Sequence, residues 1–219
     1  MTKNNFRNFL IAAGLIVCVP VNAAMVTINL DRSNVGTFLP DGLIYATVTL
    51  ADGADAMAGH DVTFTVDVVT DTDPTTPTLT PGSNFGIQKF TFNDINNLVT
   101  SFVGLSSIGW GTESNRNGDG FGLFDYRLKA TGSSRVDPLV FGVLAAGATI
   151  SDFISLSTGG RSSPFAAHIA GFTDVDSGTG VVNSAWFGVV PIPAAVWLFV
   201  SGLGLLGFLG RRHRQAATA

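Results

Sequence analysis

The chain has 219 residues, a net charge of −4 and one cysteine, and 46% of its residues are hydrophobic. This length allows one globular domain with targeting segments at its ends. All sixteen acidic residues lie between Asp31 and Asp176, together with only seven basic residues, so this part carries a charge of about −9. Such a charge repels a phosphate backbone and argues against nucleic acid as a partner.

The first 23 residues are predicted to be a secretory signal peptide. Lys3 and Arg7 supply the positive charge at its start, and residues 9–19 supply its apolar segment. Compact residues follow, and we place the cleavage between Ala23 and Ala24. An uncleaved anchor is the alternative, although the apolar run is short for a bilayer span.

The only cysteine, Cys18, lies inside this predicted leader. A lipoprotein signal needs a small residue before its cysteine, and Val17 stands there instead. After cleavage behind Ala23, the mature chain would contain no disulfide, no thiolate metal site and no cysteine nucleophile. The part of the chain between the two terminal segments, residues 24–189, is called the body. It must then be stabilised by its hydrophobic core.

Residues 24–189 are predicted to form one β domain. Residues 62–69 alternate, with Val62, Phe64 and Val66 on one face and Thr63 and Thr65 on the other. Further strands are predicted at residues 25–30, 43–50, 85–92, 121–130, 139–143, 150–156, 165–172 and 185–189. This alternation is typical of antiparallel sheets, so the predicted fold is an all-β, antiparallel, jelly-roll-like β-sandwich.

Two stretches of the body are not predicted as strands. Residues 71–84 are rich in threonine and proline, which favours an extended, exposed loop. Residues 97–108 show no clear periodicity, and their structure is left open.

The body contains few residues that suggest catalysis. It has no G-x-S-x-G or H-E-x-x-H motif, and its only histidines are His60 and His168. His168 alternates with apolar neighbours, which favours a structural role over a ligand role. Glu113 is the sole glutamate, and no pair of carboxylates stands out as a glycosidase pair. We therefore predict no enzyme activity and no catalytic residue.

One segment resembles part of a calcium-binding loop. Residues 115–120 read NRNGDG, with oxygen ligands at alternate positions and glycine at the sixth, as in the first half of an EF-hand. The twelfth position is Tyr126 instead of a bidentate glutamate, and a tight turn between strands explains the same residues. No other cofactor is predicted. The calcium ligands would be Asn115, Asn117, Asp119 and Asp125.

Residues 190–214 form a segment of three parts. An apolar run at residues 194–210 would span about 25 Å as a helix, near the lower limit for a bilayer core. It is preceded by a proline motif, which consists of Val190, Pro191, Ile192, Pro193 and Ala194. It is followed by a basic cluster predicted to stop transfer on the cytoplasmic side, which contains Arg211, Arg212 and Arg214. A plain one-pass anchor and a transient sorting signal both fit this pattern. Residues 215–219 complete the chain.

The order of proline motif, glycine-rich apolar helix and arginine cluster resembles the PEP-CTERM type of C-terminal sorting signal, in its VPLPA variant. Ile192 stands where leucine is usual. The resemblance implies an exported protein of a Gram-negative type bacterium. Its partners would be signal peptidase with the secretion machinery, the inner membrane through the C-terminal helix, and an exosortase-type processing enzyme.

Two classes of function remain open from the sequence. The first is a non-catalytic, structural or adhesive protein of the cell surface or extracellular matrix, with an exopolysaccharide as a further candidate partner. The second is a secreted carbohydrate-binding or carbohydrate-active β-sandwich. Exposed tryptophan or tyrosine side chains would favour the second class, but the body has only Trp110, Trp186, Tyr45 and Tyr126.

Overall fold

The computed structural model describes residues 24–36, 38–70, 79–130, 133–176 and 181–189. The predicted signal peptide at residues 1–23 and the predicted sorting segment at residues 190–214 lie outside these residues. So do positions 71–78 of the predicted threonine- and proline-rich loop.

The described residues form eleven strands and three short 3-10 helices. The strands are β1 (Met25–Leu30), β2 (Arg32–Ser33), β3 (Ala46–Asp52), β4 (Val62–Val68), β5 (Pro81–Phe92), β6 (Ser101–Val103), β7 (Trp110–Gly118), β8 (Gly122–Ala130), β9 (Leu139–Leu144), β10 (Phe165–Asp176) and β11 (Val181–Gly188). The 3-10 helices are Gly53–Asp55, Ser106–Ile108 and Ile150–Phe153.

The strands form two sheets. The five-stranded sheet has the order β1-β3-β4-β9-β6, and the six-stranded sheet has the order β2-β11-β10-β5-β8-β7. All neighbouring strands pair antiparallel. The prediction of an all-β protein with antiparallel sheets is therefore confirmed.

Strand β4 shows why this sequence forms a sandwich. Val62, Phe64 and Val66 are fully buried, as their alternation predicts, while Asp67 on the other face is exposed. Phe64 stacks on Phe141 of the same sheet at a ring-centroid distance of 4.8 Å. It also meets rings of the facing sheet, which belong to Phe90, Phe92 and Phe165. Burial of such side chains stabilises the fold by about 1.5–3 kcal/mol each.

The predicted strand at residues 150–156 is wrong, because this segment begins with the 3-10 helix Ile150–Phe153. Thr149 and Asp152 form a capping box, in which the Asp152 carboxylate accepts a hydrogen bond from the Thr149 amide at 2.8 Å. Ile150 and Phe153 are three residues apart and both buried. This spacing places them on the same face of a 3-10 helix.

Several strand boundaries also differ from the predictions. Strand β5 begins at Pro81 and therefore includes residues that were predicted as loop. Strand β3 begins at Ala46, and Ile44, which lies inside the strand predicted at residues 43–50, is 42% exposed. Strand β7 was missed because most of its side chains are polar and exposed, which is tolerated at the edge of a sheet.

Candidate functional site

The segment that resembles a calcium loop lies in the hairpin between β7 and β8. Gly118 pairs with Gly122, so residues 119–121 form the turn. Asn115 lies on β7 with a positive φ of 51°. Because Ser114 pairs with Tyr126 and residue 116 pairs with residue 124, Asn115 lies opposite Asp125 in the register. Of residues 115–120, only residues 119 and 120 thus lie in a turn between strands, whereas residues 115–118 lie in β7.

The structure brings together only two of the four candidate calcium ligands. Asn115 and Asp125 line a common cleft, whereas Asn117 lines only an adjoining depression beside Gly160. Asp119 instead accepts a hydrogen bond from the side-chain amide of Asn34 at 3.2 Å. Within the described ranges, no group of three or more His, Cys, Asp or Glu side chains could hold a metal ion.

The cleft has a volume of about 400 Å³ and is built from three separate segments. The residues following β5 form one side, the middle of the β7–β8 hairpin forms the floor, and the loop after the last 3-10 helix forms the other side. The residues that line the cleft include Asn93, Asp94, Ile95, Asn115, Leu123, Asp125, Tyr126 and Leu156.

A chain of hydrogen bonds holds these segments together. The backbone amide of Asp94 donates to the Asp125 carboxylate at 3.0 Å, and the backbone amide of Asp125 donates to the Asn93 side-chain oxygen at 3.1 Å. The Asn93 amide group then donates to the carbonyl of Ser155 at 2.9 Å. These bonds fix the floor of the cleft, because each satisfies a polar group that burial would otherwise leave without a partner.

Asp94 is the most unusual side chain of the cleft. Its exposed fraction is 4%, and its Oδ2 accepts a hydrogen bond from the Val99 amide at 2.7 Å. Its Oδ1 is buried and has no hydrogen-bond partner in the described protein. Burial raises the pKa of neighbouring Tyr126, and the charges of Asp94 and Asp125 raise it further. A buried oxygen without a partner destabilises the fold, so it offsets part of the stability that the bond of Oδ2 with Val99 supplies.

The rim of the cleft is apolar. Ile95, Leu123 and Leu156 are exposed by 64%, 44% and 55%, although they are large hydrophobic side chains. The cleft thus combines a floor of amides and carboxylates with exposed apolar side chains. This arrangement can bind a polar ligand that also offers an apolar face.

The aromatic residues considered for carbohydrate binding lie elsewhere or are partly covered. Trp110 and Trp186 are each 6% exposed, and Tyr45 is fully buried. Tyr126 is half-buried and is the one of these four residues that lines the cleft. None of the four therefore forms a broad exposed stacking surface on the described part of the chain.

The two body histidines make structural contacts. His168 lies on β10 with its ring centroid 5.3 Å from that of Trp186, and the Lys89 ammonium lies 5.9 Å from the centre of the same tryptophan ring. Burial, and then the charges of Lys89 and Arg135, lower the pKa of His168 to about 4. The ring of His60 packs over Gly142, where a Cβ atom would lie only 1.8 Å from it.

Glu113 lies among basic side chains. It forms an ion pair with Arg127 and lies 3.8 Å from the Lys129 ammonium and 3.9 Å from the Arg116 guanidinium. Its hydrogen bond with Arg127 is the main reason why its pKa is lowered. This environment favours an ionised carboxylate over the protonated acid that glycoside hydrolysis requires.

Sequence reasoning missed Asn93 and Asp94, which form one side of the cleft. A polar run, NDINN, follows directly after β5 and was the available signal. The contact of Asp94 with Asp125 joins positions 31 residues apart, which no local pattern reveals.

In the parts of the chain that the structure describes, no helix has the length and apolar character that crossing a bilayer requires. Comparisons with protein-family models, with curated proteins and with solved structures find no match to this chain.

Proposed function

We propose that this chain is an exported, exosortase-sorted protein of the cell surface or extracellular matrix of a Gram-negative type bacterium, with a non-catalytic, structural or adhesive role. One observation carries the proposal. Strand β1 begins at Met25, just after the predicted cleavage site, and β11 ends at Gly188, just before the proline motif that starts at Val190. The predicted processing segments thus flank the sandwich without interrupting it.

In this proposal each terminal segment has its own partner. Signal peptidase would cut between Ala23 and Ala24 after the secretion machinery engages the leader. The apolar helix at residues 194–210 would hold the chain in the inner membrane, with the arginine cluster on the cytoplasmic side. An exosortase-type enzyme would then cut near Pro191 and Pro193. We further propose a jelly-roll-like path for the domain, which is supported by the repeated crossings of the chain between the two sheets.

The non-catalytic role is supported by how the polar side chains are used. Asp125 and Asn93 hold the cleft together through hydrogen bonds with backbone amides. Glu113 is surrounded by bases, and His168 packs against Trp186. These contacts are structural, and none joins a nucleophile to a base. The domain is stabilised by a phenylalanine-rich core, which suits an exported domain without cysteine in residues 24–189.

Loss of the proline motif tests the proposal. In cells with the cognate exosortase, the Pro191→Ala/Pro193→Ala variant should remain uncut in the membrane fraction, while the wild type reaches the surface or the medium. Gln215→Ala changes the tail beyond the arginine cluster and serves as the matched control. Equal surface delivery of the double variant, or of the wild type in cells without exosortase, would contradict the proposal.

A second candidate function, carbohydrate binding, is favoured by one observation, the amide- and carboxylate-lined cleft beside Tyr126. Titration of the secreted protein with polysaccharides tests it. Binding through the cleft should be weakened by Asn115→Ala and unchanged by Asn117→Ala, because only the first of these residues lines the cleft. Reproducible binding that responds to Asn115 alone would establish this second function.

A further inference from the structure

Asp52, the last residue of β3, is a buried carboxylate that holds two distant parts of the chain. Its exposed fraction is 8%. Its Oδ1 accepts a hydrogen bond from the backbone nitrogen of Ala24 at 2.9 Å, and its Oδ2 accepts one from the amide of Ile150 at 3.1 Å. The backbone amide of Asp52 donates in turn to the carbonyl of Ala24 at 3.0 Å. Ala24 is therefore bound at both its nitrogen and its oxygen by one residue.

We propose that the Asp52 carboxylate is the binding site for the α-ammonium group of the processed N-terminus at Ala24. This inference rests on the proposed export with cleavage between Ala23 and Ala24. In that step water hydrolyses the Ala23–Ala24 peptide bond. The carbonyl carbon of Ala23 takes the oxygen and leaves as a carboxylate, and the nitrogen of Ala24 takes the protons and becomes an ammonium.

The change of charge at Ala24 strengthens an existing contact. Before cleavage the nitrogen is a neutral amide with one proton to donate, and after cleavage it carries a positive charge and three protons. The uncleaved bond already has a carboxylate as its acceptor, and the ammonium adds a direct attraction between opposite charges to it. Ala24 itself is exposed, so its ammonium keeps part of its hydration and avoids most of the desolvation cost of a buried ion pair.

The Asp52 carboxylate suits an ammonium group because no basic side chain pairs with it among the described residues. Its described partners are backbone amides. The ammonium of Ala24 would supply the missing positive charge. The ion pair would fasten β1, an edge strand with Met25 67% exposed, to the sheet immediately after cleavage.

A four-way comparison on the secreted mature protein tests the inference. The α-amine is converted to a neutral ketone by transamination with pyridoxal phosphate, which acts on the N-terminal amine and leaves lysine intact. The treatment is applied to the wild type and to Asp52→Asn. Asp55→Asn is the matched control, because Asp55 is an exposed aspartate three residues away.

We expect transamination to lower the Tm of the wild type and of Asp55→Asn by about 3–6 °C, and that of Asp52→Asn by less than about 1 °C. Equal losses in all three proteins would overturn this inference while leaving the export proposal intact. Amino-terminal sequencing of the same samples separates the two ideas. A mature chain that begins elsewhere than Ala24 overturns both the cleavage site and the ammonium site.

Discussion

The space between the two sheets and the cleft at the β7–β8 hairpin are built on opposite principles. In the core, Phe64 contacts rings from both sheets, and every group involved is apolar and buried. In the cleft, Asp94 and Asp125 are held by hydrogen bonds, and one carboxylate oxygen of Asp94 has no described partner. The core thus consists of apolar contacts, whereas the cleft retains a buried polar atom without a described partner.

The largest effect should come from the core. Phe64→Ala should lower the free energy of unfolding by about 3–5 kcal/mol, because it leaves a cavity among Phe92, Phe141 and Phe153. Urea denaturation measures the loss, and surface display should fall because the chain misfolds. A loss below about 1 kcal/mol would show that the core is not the main source of stability.

The second effect concerns His168 and tests whether a residue outside the core between the sheets also influences the free energy of unfolding. The pKa of His168 is lowered to about 4 in the fold, so the folded state favours the neutral imidazole. The contribution of His168 to the free energy of unfolding is therefore fully present above pH about 6.5 and is lost as the pH falls from about 6.5 to about 4. Between pH 7 and pH 4.5 the wild type should lose about 2–3 kcal/mol that His168→Gln does not lose. Urea denaturation at both pH values measures the difference.

His60→Gln, at the other body histidine, controls for the general effect of replacing an imidazole. Identical pH profiles for the wild type and His168→Gln would contradict a neutral His168 in the fold, and would leave the inner faces as the source of stability.

The third effect belongs to the cleft. Asp94→Ala should cost about 1–3 kcal/mol, because the buried amide of Val99 loses its acceptor. Asp94→Asn keeps an acceptor for this amide and should cost less. Chemical denaturation of the two variants, side by side, measures the difference. An Asn variant that is as unstable as the Ala variant would show that the charge of Asp94 is itself needed, as it would be for a bound cation.

A smaller effect is expected when calcium is added to the protein. Since the four candidate ligands do not converge on one point, added calcium should change the Tm by less than about 1 °C. Differential scanning fluorimetry with and without calcium measures this. A rise of several degrees that is lost in Asp125→Asn and kept in Asp119→Asn would place a calcium site in the cleft and correct our account.

The smallest effect is expected on the outer face of β4. Thr65 is half-buried and pairs with Thr49 and Val140 across the sheet. Thr65→Ala should change the free energy of unfolding by no more than about 0.5 kcal/mol. Urea denaturation beside Phe64→Ala, one residue away, compares the two faces directly. Comparable losses at both positions would remove the distinction between the inner and outer faces.

The difference between the core and the cleft also explains how much of the structure could be predicted from the sequence. The buried face of β4, which carries Val62, Phe64 and Val66, could be predicted because alternation is a local property of the strand. The 3-10 helix Ile150–Phe153 escaped prediction because its two apolar residues are three positions apart in a segment that was predicted as a strand. The polar strand β7 escaped prediction because it is held by pairing with β8. The neighbours across the strands, such as Leu50 beside Phe64, required the register itself.

The candidate site was less predictable than the fold. Residues 115–120 indicated either a calcium loop or a turn, and only the pairing of β7 with β8 placed Asn115 opposite Asp125. The contacts of Asp94 with Asp125 and of Asp52 with Ala24 join residues 31 and 28 positions apart. Such contacts depend on which strands pair within each sheet, which no local pattern encodes.

Export and sorting by an exosortase are tested by the intact mass of the protein that is recovered from the surface or the medium of exosortase-containing cells. We expect a species that begins at Ala24 and lacks Arg211, Arg212 and Arg214. A mature species that still carries these arginines would contradict sorting by an exosortase and leave a plain C-terminal anchor.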